Sequence, residues 1–471
     1  MIKTKIKSKY LFKKNIFLLL LFSTLTLCSQ NIKGVVLDQE SKKPLENVNI
    51  YINKPNNGTT SNEKGEFYLN SNLKKSDTIF FSILGYSLKK HLFSELKNST
   101  IYLSKKTENL NEIFINSNIK LNSNISFKKL SSIKTGRHSF ASSLVGSKIY
   151  VIGGDASNII NTEKKALNDL SNTAESTFED FLKSLRMNPS WEYYKGDLQV
   201  YDITKDTWQK SDLKFRKRAY NTLNCFDNKL YIIGGKSLSV SRKHEYLDDK
   251  IEVLDLINNT IVTDDTNPHQ AVNFESFVYN HNIIVMGGSV KLNKKGKKVY
   301  TNKSHIYNLE TGYWYELNDM PKAMEVKGLL VKNKIYLIGG FNDKPLSEIE
   351  SYNILTGEWT KEGNLFYGIE KPALTYNKNI IYIFNDGKLI TYNIVSKDLN
   401  EYNINLHLKA SELYFYDNNI YILGGYREDE FSKLASSNLY SINLNEFAKT
   451  KVIKTKKVSE KLLYQNTFNR H

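Results

Sequence analysis

A short apolar strand that ends in two glycines recurs along the C-terminal two-thirds of the chain. Each copy is preceded by another apolar strand and followed by a further strand and a polar turn. Four short strands repeated in a fixed order predict the blades of an all-β propeller. The six copies are KIYVIGG (148–154), KLYIIGG (229–235), NIIVMGG (282–288), KIYLIGG (334–340), IIYIFND (380–386) and NIYILGG (419–425).

The repeat is not uniform. Asn385-Asp386 stands where the fifth copy should carry its glycine pair, and a tryptophan begins the fourth strand in three copies only, at Trp208, Trp314 and Trp359. Large aromatic side chains at these positions are expected to pack between neighbouring blades. With these departures, the pattern resembles the kelch repeat family. The resemblance implies a six-bladed kelch-type β-propeller.

Two segments compete to close the predicted ring. The spacing from Phe127 to Arg137 equals that from Trp208 to Arg218, so the segment around Phe127 is predicted to be the fourth strand of the last blade. Such a strand would hide an otherwise open sheet edge. The segment 450–454 competes for the same place, and the pattern leaves both open. The predicted propeller covers residues 125–455 and is followed by a tail, 456–471.

A smaller β domain is predicted before the propeller. Its strand signals are rich in β-branched and aromatic residues and are separated by turn residues. They predict a small antiparallel sandwich over residues 31–104, joined to the propeller by a linker at 105–124. The segments are IKGVVLD, NVNIYIN, GEFYLNS, DTIFFSI and STIYLS.

This segment resembles the carboxypeptidase-regulatory-like (carboxypeptidase D regulatory-like) domain. The residues that carry the resemblance are Gly34 to Asp38, Pro44-Leu45 with Val48 to Tyr51, Gly58 to Phe67 and Leu84-Gly85-Tyr86. The stretch 108–115 resembles the segment found after such domains in Bacteroidetes cell-envelope proteins. The resemblance implies an immunoglobulin-like or prealbumin-like β-sandwich that serves as a non-catalytic accessory module.

The first 29 residues have the pattern of a secretory signal peptide. Six lysines precede an apolar run from Ile16 to about Leu27, and polar residues come after it. The run is too short to serve comfortably as a membrane anchor. Cys28 suggests a lipoprotein as an alternative. Leu27 disfavours it, because a lipidation site has a small residue directly before the cysteine. We therefore expect export to the periplasm, the outer membrane or the medium, with no transmembrane span after signal removal.

Charge and the remaining cysteine narrow the function classes. Removal of the signal lowers the formal charge from +17 to +11, because it takes away six lysines and no acidic residue. A nucleic-acid role fits poorly with export. Cys225 is the single mature cysteine and falls at an apolar repeat position, which predicts a core residue. The histidines show no metal-ligand spacing, so neither a metal nor another cofactor is predicted.

The candidate site lies on one face of the propeller. The loops between second and third strands are long and variable, and they share a face with the connections between blades, which is typical of a binding surface. The longest loop, 155–197, carries a predicted helix from about 163 to 186. The candidate ligand-binding residues at this mouth are Arg137, His138, Arg218, Tyr220, Glu325, Glu370, Lys371, Asp155 and Arg427, with Lys236, Phe341, Asn342 and Tyr426 also beside the glycine pairs.

Three functional hypotheses remain open. The first is an exported, non-catalytic binding protein whose mouth holds a glycan, a peptide or an envelope partner, with Arg137 and Arg218 holding an anionic group. The second is a carbohydrate-active enzyme, since some kelch propellers are sialic-acid mutarotases and a glutamate (Glu325 or Glu370) or His138 could move a proton. The third is a purely structural surface protein. Propellers host many functions, so the fold alone does not choose among them.

Overall fold

The computed structural model describes residues 30–52, 58–71, 76–96, 99–105, 120–171, 175–242, 244–458 and 462–463. The predicted signal peptide, Cys28 and the stretch 108–115 lie outside these residues. The chain divides into two compact units, Met1–Ile119 and Lys120–His471. No helix in the described ranges is long and apolar enough to cross a membrane.

The first unit is a β-sandwich of two sheets. Alternate side chains such as Ile50 and Phe81 point into a fully buried core between the sheets, as the period-2 pattern requires. The prediction of a wholly antiparallel sandwich is wrong at one pairing, because Gln30–Asp38 runs parallel to Ser99–Leu103. The sheets have the strand orders Glu66–Ser71, Gln30–Asp38, Ser99–Leu103 and Gly58–Thr60, Asn49–Ile52, Thr78–Ser82, Lys89–Leu92, with a short 3₁₀ turn at Phe93–Glu95.

The described part of the second unit forms six blades around a central channel. Each blade is an antiparallel sheet, and the first strands of successive blades contact one another around the channel. This confirms the predicted kelch-type propeller. From the inner to the outer strand, the blades are Ala141–Val145, Lys148–Ile152, Asp197–Asp202, Thr207–Lys214 (blade 1); Thr222–Phe226, Lys229–Ile233, Ile251–Asp255, Thr260–Asp264 (blade 2); Glu275–Tyr279, Asn282–Met286, Ser304–Asn308, Trp314–Glu316 (blade 3); Gly328–Val331, Lys334–Ile338, Glu348–Asn353, Glu358–Asn364 (blade 4); Ala373–Asn377, Ile380–Asn385, Lys388–Asn393, Asp398–Asn403 (blade 5); and Glu412–Tyr416, Asn419–Leu423, Leu439–Asn443, Lys128–Leu130 (blade 6).

The N-terminal segment closes the ring. Lys128–Leu130 pairs antiparallel with Leu439–Asn443 as the outer strand of blade 6. The C-terminal segment does not take that place. After the short helix Asn445–Lys449 it turns back, and Lys454–Lys457 adds a fifth strand outside blade 5. Leu462–Leu463 pairs in the same way outside blade 4.

Glycines and tryptophans of the repeat have separate structural roles. Gly153 and Gly154 adopt φ of 70° and 100°, and a Cβ on Gly153 would lie 2.6 Å from the carbonyl oxygen of Arg218, so backbone from two blades meets there. Trp359 packs against Tyr352 and is buried in a cluster that includes side chains from blade 3. Trp208 and Trp314 likewise pack against clusters that contain side chains of the preceding blade, so the predicted packing of the tryptophans between blades is confirmed.

The loops of one face are structured as small hairpins. The insertion of blade 1 holds two helices, so the single helix predicted over 163–186 is wrong; the second helix begins at its own capping box, formed by Thr177 and Asp180. Asn158–Ile160 of the insertion pairs with Ser432–Ala435 of the blade 6 loop. This pairing joins the loops of the first and last blades of the ring. The remaining elements are the helices Thr162–Ser171 and Phe178–Met187 and the strands Tyr426–Glu428, Lys236–Leu238, Glu245–Leu247, Ser289–Leu292, Lys298–Tyr300, Phe341–Asn342 and Lys344–Pro345.

Candidate binding site at the propeller mouth

The chain enters each blade through three residues with distinct orientations. In blade 2 these are Arg218, which is buried, Ala219, whose backbone pairs with Lys236 after the glycine pair, and Tyr220, which lines the cavity. Tyr220 has a φ of 63°, in the left-handed region that non-glycine residues seldom adopt. Strained backbone held by its surroundings is common at functional sites. This turn directs the Tyr220 ring towards the channel.

The mouth encloses a cavity of about 1120 Å³ on the long-loop face. A second cavity of about 80 Å³ lies in the channel, and both are lined by Tyr220, Asn273, Glu325, Glu370 and Lys371. Six of the residues predicted at the mouth therefore line the larger cavity: Tyr220, Lys236, Glu325, Glu370, Lys371 and Tyr426. The larger cavity slightly exceeds the range of about 300–1,000 Å³ that is typical of small-molecule sites.

The two predicted arginines lie outside the cavity. Arg137 is fully buried and donates to the Gly153 carbonyl (3.0 Å) and to Asp197 (2.9 Å). Arg218 is equally buried and donates to Glu252 (2.8 Å) and to the Lys250 carbonyl. The expectation that they hold a ligand is wrong, because their guanidinium groups fasten the entering chain to its own blade.

His138 and Asp155 form a buried pair behind the cavity wall. His138 Nε2 lies 3.7 Å from the Asp155 carboxylate, and burial lowers the pKa of His138 to about 3, against the attraction of that carboxylate. Burial raises the pKa of Asp155, but His138 and hydrogen bonds from Ser157 and Tyr220 outweigh it and leave the pKa lowered. Because the Tyr220 hydroxyl donates to Asp155 over 3.0 Å, the pair positions Tyr220 rather than facing a ligand.

Two acidic groups of the cavity already hold lysines. Glu325 is buried. Its carboxylate accepts a hydrogen bond from Ser289 (2.7 Å) and forms an ion pair with Lys298 (2.9 Å). Lys236 contacts Glu245 at 2.6 Å. These lysines are largely neutralised by their carboxylate partners, which limits what they offer to a ligand.

Lys371 and Lys433 are held differently. The Lys371 amine lies 5.2 Å from the centre of the Tyr220 ring and 3.8 Å from the Glu370 carboxylate. The Lys433 amine lies 4.1 Å from the centre of the Tyr426 ring and forms no ion pair with a described carboxylate. An aromatic face attracts an ammonium group without neutralising it. The cavity thus keeps two cations that are weakly compensated.

Burial also changes the protonation of the Lys371 amine. It lowers the pKa of the Lys371 amine to about 8, and nearby Lys298 and Lys433 lower it further, while Glu325 and Glu370 act in the opposite direction. Burial also lowers the pKa of Lys433. A bound anion would favour the charged form of both amines. The geometry therefore suits an anionic group.

Charged side chains line the channel below the mouth. Lys327 of blade 4 lies 2.9 Å from Glu412 of blade 6 and 3.5 Å from Glu275 of blade 3. Burial raises the pKa of Glu275, while for Lys327 these two carboxylates outweigh burial and raise the pKa. A ligand in the mouth therefore meets a polar floor that ties three blades together.

Sequence reasoning missed some cavity residues and included one that is elsewhere. Arg427 lies on an exposed hairpin strand and is not among the residues that line the cavity. Lys298 and Lys433 lie on the far strands of loop hairpins, where no repeat position marks them. The described residues contain no assembled group of three or more histidine, cysteine and acidic side chains fit for a metal ion.

Comparisons with known proteins agree with both units. Residues 32–115 match the CarboxypepD_reg-like domain, and residues 192–385 match the KLHDC2/KLHL20/DRC7 Kelch-repeats domain. Alpha-scruin of Limulus polyphemus is 32% identical over 102 residues, which cover 21% of this chain and 11% of that protein. The solved structure of YjhT matches at 12% identity with a TM-score of 0.48, over 67% of this chain and 99% of its own.

Proposed function

We propose, from the premise that this chain is a kelch-repeat propeller preceded by a carboxypeptidase-regulatory-like domain, that it is an exported, non-catalytic binding protein. Its propeller mouth holds an anionic segment of a partner, either a glycan or a protein of the cell envelope. The N-terminal sandwich acts as an accessory module. Rigid scaffolds with long loops on one face commonly carry such sites.

One observation supports this proposal above the others. The cavity of about 1120 Å³ contains Lys371 and Lys433, whose amines rest against tyrosine rings. Because neither amine has a carboxylate partner at hydrogen-bond distance among the described residues, an incoming carboxylate, sulfate or phosphate group gains charge-assisted hydrogen bonds without displacing a tight ion pair. Lys236 and Lys298 lack this property because they are already paired.

Binding of acidic probes tests the proposal directly. Hexagalacturonate and hexaglutamate would be titrated into the purified chain by calorimetry, with maltohexaose and hexaglutamine as neutral counterparts. We expect an acidic probe to bind and its neutral counterpart not to bind. The double variant Lys371→Gln with Lys433→Gln should lose this binding.

A charge-matched variant separates site chemistry from net charge. Lys205 lies in a turn on the opposite face and Lys449 in the helix after blade 6, and both are exposed. Lys205→Gln with Lys449→Gln removes the same charge and should bind as the unchanged chain does. If both double variants lose binding of the acidic probe equally, the effect comes from the overall charge of the protein, and the mouth is not the binding site.

A carbohydrate-active enzyme, such as a sialic-acid mutarotase, is the second candidate. The observation in its favour is that Lys371, with a pKa of about 8, lies beside Glu370 in the cavity. A pair of this kind can transfer a proton near neutral pH. NMR exchange between the anomers of N-acetylneuraminate provides the test, and no acceleration by the purified chain would exclude that reaction.

A further inference from the structure

Lys371 enters the mouth from a firmly held piece of backbone. Two residues before it, Ile369 is buried, and its backbone accepts a hydrogen bond from Gly340 (2.9 Å) and donates one to the Leu346 carbonyl (2.8 Å). Directly after Lys371 comes Pro372, which restricts the preceding residue to extended conformations. The direction in which the Lys371 side chain leaves the backbone is therefore narrowly defined.

The Lys371 amine can be reached from the cavity although its surroundings exclude most of the solvent. Its side chain is 19% exposed and lines both the mouth cavity and the smaller channel cavity. The amine lies 5.2 Å from the centre of the Tyr220 ring, which forms an apolar wall beside it. A group that enters the mouth therefore meets a nitrogen that is poorly solvated.

The surroundings of this amine favour its neutral form. Burial lowers its pKa to about 8, with a further contribution from the ammonium groups of Lys298 and Lys433. The carboxylates of Glu325 and Glu370 act in the opposite direction without outweighing burial. At pH 7.5 roughly a quarter of such an amine is uncharged, against about 0.1% for an ordinary lysine. An uncharged lysine amine is the form that adds to a carbonyl carbon.

Three other lysines of the mouth cavity differ from Lys371 in this respect. Lys236 and Lys298 contact carboxylates at 2.6 Å and 2.9 Å, which favour their charged forms. Burial lowers the pKa of Lys433 as well, but its amine lies 4.1 Å from the centre of the Tyr426 ring, whose face attracts an ammonium group. The cavity thus combines one nucleophilic amine with a cation that keeps its charge.

We infer that Lys371 forms a reversible imine with an aldehyde or ketone that also carries a carboxylate, and that Lys433 holds the carboxylate. The amine nitrogen adds to the carbonyl carbon. Glu370, whose carboxylate is 3.8 Å from the amine, carries the two nitrogen protons to the carbonyl oxygen in turn. The carbon–oxygen bond breaks, the oxygen leaves as water, and a carbon–nitrogen double bond remains, so no oxidant or reductant is needed.

The two parts of this inference have different foundations. The reactivity of Lys371 follows from its own surroundings and does not depend on the proposed function. Recognition of the carboxylate by Lys433 rests on the proposed function, because it uses the same cation for the same kind of group. Imine formation is reversible, so it serves capture of a ligand and does not require turnover.

Reductive trapping on the full chain tests the inference. The protein would be incubated at pH 7.5 with succinic semialdehyde and cyanoborohydride, which reduces an imine to a stable secondary amine, and labelled lysines would be mapped by mass spectrometry. We expect Lys371 to be labelled at least about tenfold faster than Lys205, an exposed lysine. In concentrated urea the two should react at similar rates, because unfolding removes the surroundings that lower the Lys371 pKa.

Butanal, which lacks the carboxylate, separates reactivity from recognition. It should label Lys371 at least about fivefold more slowly than succinic semialdehyde does, and Lys433→Gln should remove this difference. Equal labelling by both aldehydes in the unchanged chain would disprove the role of Lys433 while leaving Lys371 as the nucleophile.

The charge-preserving variant Lys371→Arg checks the assignment. Its guanidinium stays protonated and forms no imine, so Lys371→Arg with an unchanged Tm should show only the slow labelling of exposed lysines. Lys449→Arg, at an exposed position, is the matched control and should be labelled at Lys371 as the unchanged chain is. The inference is overturned if Lys371 of the folded chain reacts no faster than Lys205, whether or not acidic probes bind at the mouth.

Discussion

The guanidinium of Arg218 lies 2.8 Å from the carboxylate of Glu252, and both side chains are almost completely buried. Removing one partner of a buried ion pair leaves an uncompensated charge, which costs about 3–5 kcal/mol. Arg218→Met should therefore lower the free energy of unfolding by this amount, as measured by urea titration. Arg427→Met, on an exposed strand, should change it by no more than about 0.5 kcal/mol.

The same two variants separate structure from binding. If Arg218 only fastens the chain to blade 2, the folded fraction of Arg218→Met should bind acidic probes with unchanged affinity. If Arg218→Met keeps the full stability of the unchanged chain but loses binding of the acidic probes, Arg218 is part of the binding site.

The charge of Lys371 predicts a pH dependence of anion binding. Its pKa in the free propeller is about 8 because of burial, so the amine is charged below that pH and loses its proton above it. Affinity for an acidic probe should be constant from pH 6 to 7 and should fall above pH 8, by up to about tenfold per pH unit. Calorimetry across this range measures the effect.

Arginine at the same position provides the control, since its guanidinium stays charged. Lys371→Arg should bind the probe with little change between pH 7 and 9.5.

The free energy of unfolding should change with pH in the opposite direction to the binding affinity. A lysine pKa lowered by folding means that the unfolded chain binds more protons between pH 8 and about 10.4, so stability should rise with pH in that window. An affinity that stays flat through pH 9.5 in the unchanged chain would contradict a role for Lys371.

Close backbone packing between blades predicts unequal effects of adding a methyl group. Gly146 has a φ of 59° with no described atom within 4 Å of an added Cβ, so Gly146→Ala should cost only the left-handed backbone penalty, about 1–2 kcal/mol. Gly153 has a similar φ, and its Cβ would also meet the Arg218 carbonyl oxygen at 2.6 Å. Gly153→Ala should thus be clearly less stable than Gly146→Ala in thermal unfolding, and equal losses would refute the packing argument.

Ring closure by the N-terminal strand predicts which truncation is harmful. Deleting residues 1–131 removes Lys128–Leu130 and leaves Leu439–Asn443 as an open edge, which invites aggregation. That chain should unfold at a lower temperature and self-associate in light scattering. Deleting 464–471 removes no described strand and should leave Tm unchanged, while a monomeric, stable 132–471 fragment would disprove closure by this strand.

The sequence predicted the fold more completely than the site. Each repeat such as KIYVIGG marks a strand and the turn after it, and the succession of repeats gives the order of the blades. The propeller can therefore be predicted from local sequence patterns. Arg137 and Arg218 were misplaced because a repeat position gives the place along the chain but not the direction of the side chain. Lys433 was missed because it reaches the cavity from a hairpin whose shape depends on pairing with the blade 1 insertion.

The short turn of blade 5 bears on the length of ligand that can bind. Asp386 and Gly387 connect its second and third strands directly, whereas the other blades carry hairpins or a helical insertion at this place. The wall around the mouth is consequently low on one side. A polymer whose acidic group sits at Lys371 can leave over this gap without displacing a loop. Under the proposed function, selectivity would then concern the charged group at the base of the mouth, and chains of very different lengths would bind alike.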